Sequence, residues 1–179
     1  MGNWLRKLLG KDDGGRRPPP PPVETGPRSI KVVLVGASTV GKTCLIVNYN
    51  TGAFNEDRVP NVLDVFRGSR EFQGNNLDIE IVDTSGDTQL GTYRQLVYPG
   101  TDCFMLCVAV NNRDSMERIR NLKAEIKTVN PNAPILLVAT KFDTREQSDN
   151  PIMTPELESA RLDHGFQGIC ETSARNWQQ

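Results

Sequence analysis

Residues 36–43, "GASTVGKT", have the residue types and the spacing of a loop that binds phosphate. They follow the apolar run "IKVVLV" and precede a segment typical of a helix, so the pattern G-x-x-x-x-G-K-[ST] lies between a predicted strand and a predicted helix. Gly36 and Gly41 let the backbone curl so that successive N–H groups converge on phosphate oxygens. We expect Lys42 to reach the β- and γ-phosphates and the Thr43 hydroxyl to bind Mg²⁺.

Two further motifs place carboxylates after apolar segments. In "VDTSGD", Asp83 can hold a magnesium shell and Gly86 can offer its N–H to a γ-phosphate. In "ATKFD", the carboxylate of Asp143 can accept two hydrogens from the edge of guanine, which adenine does not provide. Ligands bind at the carboxyl ends of strands in open α/β sheets. Three motifs in this order therefore predict a guanine-nucleotide site.

The elements that position these motifs alternate between strand and helix. "KTCLIVNYNTG" reads as a helix that ends at Gly52, and "VLDVFRGSREF" and "LDIEIVD" read as a hairpin with its turn at "QGNN". "CFMLCVAV" and "ILLVA" are apolar enough to be strands covered on both faces. Thr154 is expected to cap a helix that ends at Gly165. The alternation predicts an α/β fold with a mainly parallel sheet.

Length and composition limit the class of protein. A chain of 179 residues has room for one domain and a tail. Residues 1–17 hold five basic and two acidic residues, but the remainder is mildly acidic, which argues against a nucleic-acid binder. The four cysteines lack a C-x-x-C spacing, so buried thiols in a reducing cytosol are favoured over a zinc site. No stretch has the roughly 20 apolar residues of a membrane span.

Residues 1–28 are predicted to be a disordered, basic and proline-rich extension. "PPPPP" cannot form a helix, so this part is a linker or a ligand for SH3, WW or profilin-type domains. Before it, an apolar helical face flanked by basic residues could lie on an anionic membrane, and a frayed tail is the alternative. Gly2 is a poor myristoylation site, because Arg6 stands where Ser or Thr is required. The residues of the apolar face are Trp4, Leu5, Leu8 and Leu9.

From about Ile30 to Arg175 the chain resembles the Ras superfamily of small GTPases, and within it the Rho family most closely, through "VPNVLD", "VYPGTD" and "NAPILLVATKFD". The resemblance implies a P-loop NTPase fold over residues 29–179, with a mostly parallel six-stranded sheet. It also implies GTP or GDP with Mg²⁺, and effector or regulatory proteins that contact the two switch segments. The second of these switches contains "DTSG".

The resemblance also implies roles for single residues. Lys141 would pack along the purine, the Ala174 amide would bind the guanine carbonyl, and Phe54 would cover the base. The magnesium positions would be Thr43, Asn61 and Asp83. The nucleotide positions would be Gly36, Ser38, Thr39, Val40, Gly41, Lys42, Thr43, Cys44, Phe54, Asn61, Gly86, Thr140, Lys141, Asp143, Ser173, Ala174 and Arg175.

Several positions depart from the family pattern. Asn61 replaces a threonine that ligates Mg²⁺, and its carboxamide oxygen can still bind the ion. Asp87 replaces the glutamine that orients the attacking water, and Ser38 fills a glycine position that leaves room for that glutamine. The Rnd branch of Rho is similar here and holds GTP persistently, so we expect a switch with slow hydrolysis. Arg58 has the spacing of the arginine that G-protein α subunits supply in cis, and a solvated arginine is the alternative.

The C-terminal part of the sequence also departs from the family pattern. The segment between Asp143 and Thr154 is too short for the helical insert of Rho proteins, and the sequence stops before the family's last helix. Without a C-terminal C-a-a-X we expect no prenylation. These departures leave a second reading open, a degenerate interaction module that recruits partners whatever nucleotide is bound. An ATPase or small-molecule kinase conflicts with "TKFD". We expect a cytoplasmic protein, peripheral at the inner face of the plasma membrane if the tail binds lipid.

Overall fold

A computed structural model describes residues 28–54, 62–72 and 74–176. Within this part of the chain, six strands form one sheet in the order β2-β3-β1-β4-β5-β6. β2 runs antiparallel to β3, and each of the other neighbouring pairs is parallel. The predicted α/β fold with a mostly parallel six-stranded sheet is therefore confirmed. The strands are β1 (Arg28–Gly36), β2 (Leu63–Phe72), β3 (Asn75–Thr84), β4 (Cys103–Ala109), β5 (Ile135–Thr140) and β6 (Gly168–Glu171).

Helices connect the parallel strands. Their bounds are α1 (Lys42–Thr51), α2 (Gly91–Gln95), α3 (Asp114–Glu117), α4 (Ile119–Val129) and α5 (Thr154–His164). Two 3₁₀ helices, Thr88–Leu90 and Phe142–Gln147, lie on the site side of the sheet. The predicted end of α1 is confirmed, because Gly52 is left-handed at φ 68° and donates its N–H to the Asn48 carbonyl at 2.7 Å.

The start of α5 differs by one residue from the prediction. The helix begins at Thr154, and Met153 occupies the capping position. The Glu156 carboxylate accepts a hydrogen bond from the Met153 N–H at 3.0 Å. A backbone N–H at the start of the helix is therefore hydrogen-bonded without a cap from Thr154. The Thr154 hydroxyl instead donates to Glu171 at 2.9 Å. The prediction that Thr154 caps this helix is therefore wrong, and the hydroxyl serves the neighbouring strand.

The core lies on both faces of the sheet. In β4, Phe104, Leu106 and Val108 belong to the apolar cluster that includes residues of α4 and α5, whereas Cys107 and Ala109 belong to the cluster that includes residues of α1. All five are fully buried. Successive side chains of a strand point to opposite faces, so an apolar run covered on both sides reads as the continuous "CFMLCVA". The prediction of a strand buried on both faces is confirmed for β4.

Some predictions lie outside the described residues. Arg58 and Asn61 belong to this group, as does the extension up to residue 27. Their proposed roles stay predictions. In the part of the chain that is described, none of the helices is long and apolar enough to cross a membrane.

Candidate nucleotide-binding site

The carboxyl ends of the parallel strands surround one cavity of about 600 Å³, within the range of small-molecule sites. Segments that follow β1, β3, β4, β5 and β6 all contribute to its wall. The cavity is lined by Ser38, Thr39, Gly41, Lys42, Thr43, Cys44, Leu45, Phe54, Val62, Thr84, Ser85, Gly86, Asn111, Thr140, Lys141, Asp143, Thr144, Thr172, Ala174 and Arg175. Thirteen of the predicted site residues are in this set. Gly36, Val40, Asp83, Asp87 and Ser173 lie beside the cavity wall or further from it.

The phosphate loop has the backbone geometry of a tight cradle. Gly41 has φ 93°, and Thr39 has φ 65°, which is uncommon for a residue with a side chain. Lys141, which also lines the cavity, is the other positive-φ residue besides glycine in the described chain. Non-glycine residues in this region carry strain that the surrounding structure must maintain, and such residues cluster at functional sites. Thr39 was predicted as a nucleotide position, but its left-handed backbone was not, because the loop pattern does not specify the residue type there.

Lys42 lies at the base of this loop with only 5% of its surface exposed. Its ammonium donates to the carbonyls of Gly36 at 3.0 Å and Ala37 at 2.9 Å. Burial lowers the pKa of Lys42 below its ordinary value, and the nearby Cys107 and Asp83 oppose that shift. An ammonium has three hydrogens, so the two carbonyls leave one for a further acceptor. That is the arrangement expected of a lysine that binds phosphate.

Thr43 and Asp83 form the candidate magnesium position. The Thr43 hydroxyl donates to the Asp83 carboxylate at 2.5 Å, and both residues are buried. Hydroxyl and carboxylate oxygens are hard donors that suit Mg²⁺, which is usually held by one or two protein ligands, waters and the phosphates of a substrate. No cluster of three or more His, Cys, Asp or Glu suited to a metal exists in the described residues. The donor set fits a metal held jointly with a nucleotide.

The base end of the cavity is built from two segments that contact each other. The Asp143 carboxylate accepts a hydrogen bond from the Ser173 hydroxyl at 2.5 Å. The N–H of Phe142 donates to the Thr172 carbonyl at 3.1 Å. Ser173 therefore orients the Asp143 carboxylate from outside the cavity, while Ala174 lines the cavity itself.

Two contacts close the wall between the base end and the phosphate end. The buried Thr140 hydroxyl lies within hydrogen-bond distance of the carbonyls of Val40 and Val108, and its one hydrogen serves one of them at a time. The Arg175 guanidinium lies 5.5 Å from the centre of the Phe54 ring, a cation–π contact. Phe54, Thr140 and Arg175, all predicted from the sequence, are thus brought to the same cavity.

The segment "DTSG", which the family resemblance assigns to the second switch, packs on the loop of residues 36–43. A Cβ at Gly86 would lie 2.2 Å from the Ser38 nitrogen and 2.5 Å from the Ala37 oxygen, so glycine is the residue that fits there. The Asp87 side chain is exposed and accepts the Gln89 N–H at 2.9 Å, which caps the 3₁₀ helix Thr88–Leu90. Asp87 is not among the cavity-lining residues. Its proposed influence on hydrolysis stays a prediction.

Arg94 links the backbone of this switch segment to α4. Its guanidinium donates to the carbonyls of Ser85 at 2.9 Å and Asp87 at 3.1 Å, and it pairs with Glu125 of α4 at 2.8 Å. Only 5% of the Arg94 side chain is exposed. The hydrogen bonds that Arg94 donates to the Glu125 carboxylate raise the pKa of Arg94 above its ordinary value. The switch backbone is therefore fixed to the body of the domain at two carbonyls.

Seven cavity residues were not among the predicted site residues. Thr84 and Ser85 lie inside "DTSG", while Thr144 follows Asp143 and Thr172 precedes Ser173, so all four could have been found from these motif positions. Asn111 follows β4 and could have been found as the polar residue after a buried strand. Leu45 and Val62 are apolar residues that carry no motif signal.

Comparisons with known proteins agree with this geometry. The family model described as the Ras family matches residues 31–179. The chain is similar to the Ras-like GTP-binding protein RhoL of Drosophila melanogaster, with 31% identity over 87% of this chain and 83% of the relative. It is also similar to the Rho-related protein racE of Dictyostelium discoideum, with 34% identity over 86% of this chain and 69% of the relative. The chain therefore belongs to the Ras family, and within the Ras superfamily it is Rho-related.

Proposed function

We propose that this chain is a guanine-nucleotide-binding signalling switch that hydrolyses GTP slowly. The observation that carries the proposal is the convergence of the phosphate loop and Asp143 on one cavity of about 600 Å³, with Asp83 hydrogen-bonded to the cavity residue Thr43. Each of these features serves a different part of a nucleoside triphosphate. Their common position at the carboxyl edge of the sheet supports one ligand rather than three unrelated sites.

The base end favours guanine. Ser173 holds the Asp143 carboxylate in place, so the carboxylate can accept from both N1–H and the exocyclic amine of guanine. Adenine has no hydrogen on N1 and would leave a lone pair facing the negative carboxylate. The Ala174 amide would donate to the guanine carbonyl, as its position in the cavity wall allows.

The phosphate end has the donors that a triphosphate needs. Lys42 has a hydrogen left for a phosphate oxygen, and the backbone N–H groups of the loop add partial positive charge. Thr43 and Asp83 would hold Mg²⁺, with Asn61 as a proposed third ligand. When bound, Mg²⁺ supplies charge neutralisation at the phosphates.

Slow hydrolysis follows from the side chains at Ser38 and Asp87. A carboxylate cannot donate a hydrogen bond, and its negative charge opposes the charge that builds on the γ-phosphoryl oxygens. The Asp87 carboxylate is moreover directed at the Gln89 amide. Ser38 lines the cavity and adds a hydroxymethyl group where the family has glycine, and its backbone nitrogen lies close to Gly86. An internal arginine at Arg58 would bypass the obstruction at Ser38, and it is the competing proposal for catalysis.

The test is to identify the nucleotide that the purified protein releases on denaturation. The proposal expects GDP or GTP in near-stoichiometric amount, with tighter binding in the presence of Mg²⁺. Release of adenine nucleotides would instead support an ATPase or a small-molecule kinase. A protein that neither carries nor takes up nucleotide would be the degenerate interaction module.

We also propose partners beyond the nucleotide. Effector or regulatory proteins would contact the two switches, and the segment "PPPPP" would bind SH3, WW or profilin-type domains. The basic, apolar start of the chain would bind an anionic membrane surface, giving a cytoplasmic protein at the inner face of the plasma membrane. These three proposals rest on the sequence and on the family membership.

A further inference from the structure

A partly buried ion pair joins the two segments that carry the base-binding residues. Arg145 lies in the 3₁₀ helix Phe142–Gln147, and Glu171 is the last residue of β6. The guanidinium of Arg145 meets both oxygens of the Glu171 carboxylate, at 2.6 Å and 3.2 Å. The side chains are 12% and 20% exposed. A two-point Arg–carboxylate contact of this kind fixes orientation as well as distance.

Further contacts hold the pair in place. Thr154 is the first residue of α5. Its hydroxyl donates at 2.9 Å to Oε1 of Glu171, the oxygen that lies 2.6 Å from Arg145. The Arg145 guanidinium also lies 4.8 Å from the centre of the Phe142 ring. Hydrogen bonding from Arg145 lowers the pKa of Glu171 below its ordinary value. Three elements therefore meet at one carboxylate.

The position of this pair relative to the base end is what gives it a role. Arg145 is two residues after Asp143, and Glu171 is three residues before Ala174. Nearer the cavity, the same two segments are joined by single hydrogen bonds, from Ser173 to Asp143 and from the Phe142 N–H to Thr172. Each of these hydrogen bonds is a one-point contact, whereas the two-point ion pair also fixes the relative orientation of the two side chains.

We propose that Arg145 and Glu171 are a positioning pair that sets the separation of Asp143 and Ala174 and so determines how strictly guanine is selected. This inference rests on the proposed function, since it concerns the same base end. Reading guanine requires the Asp143 carboxylate and the Ala174 amide to meet opposite ends of one base edge at the same time. If the two segments drift apart, the contact to the exocyclic amine weakens while the phosphate contacts remain.

The experiment compares GDP with IDP, whose base lacks the exocyclic amine, as competitors for the purified full chain. We measure the ratio of the two affinities for the wild type, Glu171→Gln and Arg145→Lys. In the wild type we expect the ratio to be large, because GDP makes one more hydrogen bond to a charged group. In Glu171→Gln we expect the ratio to fall by about tenfold, on the scale of one such bond. Arg145→Lys keeps the charge but not the two-point contact, so it should give an intermediate ratio.

The matched control is Glu158→Gln, which breaks the Arg161–Glu158 pair within α5, also 2.6 Å long. It should leave the ratio of GDP to IDP affinity at the wild-type value. A merely structural pair would lower both affinities by the same factor in Glu171→Gln, and that result would overturn the positioning role. Should Glu171→Gln fail to fold, an unchanged ratio in Arg145→Lys would have the same meaning. If the wild type binds neither nucleotide, the proposed function fails and the inference fails with it.

Discussion

At the scale of single residues, the site depends on side chains that hold other side chains in place. Ser173 orients the Asp143 carboxylate, and Thr43 contacts Asp83. Lys42 donates to two carbonyls of the loop it serves. Lys42 still has one hydrogen left for a ligand after these two contacts, because an ammonium has three. Preorganisation of this kind limits what the site can accept.

Asp143→Asn tests the base-reading role directly. The amide presents an NH₂ group in place of one acceptor oxygen, so it meets guanine with a donor where an acceptor is needed. We expect GDP affinity to fall by about ten- to a hundredfold, since hydrogen bonds to charged groups contribute roughly 1.5–3 kcal/mol. Xanthine nucleotides carry a carbonyl oxygen in place of the exocyclic amine, so their affinity should rise relative to that of GDP. Competition between GDP and XDP measures both changes, and unchanged GDP binding in the variant would contradict the described site.

Gly36→Ala tests the packing beneath the phosphate loop. An added Cβ would lie 2.5 Å from the Cys107 backbone oxygen, which cannot move aside without displacing β4. We expect a loss of roughly 1–3 kcal/mol in the free energy of unfolding, as for overpacked cores, measured by urea denaturation. Gly68→Ala in β2 is the control, because nothing lies within 4 Å of its added Cβ. Equal stability of the two variants would show that the close approach of β1 and β4 is not a constraint.

The residues of the site could be predicted where a motif specifies chemistry. Lys42, Thr43 and Asp143 follow from the phosphate loop and "TKFD", and the structure brings all three to the cavity. The orientation of Asp87 could not be predicted, because whether an aspartate caps a helix depends on whether the next residues form one. The 3₁₀ helix Thr88–Leu90 is only three residues long and has no apolar periodicity that would predict it.

At the scale of elements, glycine and tertiary contacts determined which boundaries could be predicted. The ends of α1 and α5 follow from Gly52 and Gly165, which are left-handed in the structure. The interruption between α3 and α4 at Arg118 has no glycine or proline to mark it. The start of α5 was displaced because Glu156 reaches back to Met153, a contact that competes with a threonine cap. Boundaries set by a single residue type were predictable, and those set by side-chain competition were not.

The ion pair that joins the 3₁₀ helix Phe142–Gln147 to β6 predicts a pH dependence. Arg145 lowers the pKa of Glu171 in the folded state below the ordinary value of 4.5. The pair therefore contributes its full stabilisation above that value and loses it as the pH falls through the folded-state pKa. We expect the difference in thermal midpoint between wild type and Glu171→Gln to be constant near neutral pH and to shrink below about pH 4.5. A difference that persists undiminished at pH 3 would contradict the pairing.

At the scale of the whole molecule, the site lies at the carboxyl edge of the sheet and the apolar core covers its two faces. All the parallel strands end at the cavity, and both faces of the sheet are covered by apolar clusters. The alternation of strands and helices was sufficient to predict this architecture, because a parallel sheet requires helical crossovers. The number of strands was implied by the family resemblance, and the order of the strands was not predicted.

The N-terminal extension, which lies outside the described residues, supplies a prediction for the full chain. If the Trp4, Leu5, Leu8 and Leu9 face binds lipid beside its basic residues, the full chain should sediment with anionic phosphatidylserine vesicles at low salt. Debye screening at high salt should release a large part of it. Deletion of residues 1–17 should abolish sedimentation, and neutral phosphatidylcholine vesicles are the control. If the deletion variant sediments as much as the full chain, the proposal that residues 1–17 bind the membrane is contradicted.

Single-turnover hydrolysis of bound GTP tests the slow-switch proposal most directly. The purified chain is loaded with GTP and Mg²⁺, and phosphate release is followed in wild type, Ser38→Gly/Asp87→Gln and Arg58→Ala. We expect the wild type to load and then to hydrolyse more slowly than an unaided Ras protein, whose rate is on the order of 10⁻⁴ s⁻¹. The double variant should be faster, and Arg58→Ala should be unchanged. A wild-type rate near about 10⁻² s⁻¹ that collapses in Arg58→Ala would contradict the account, since an arginine in cis would then be catalysing the reaction.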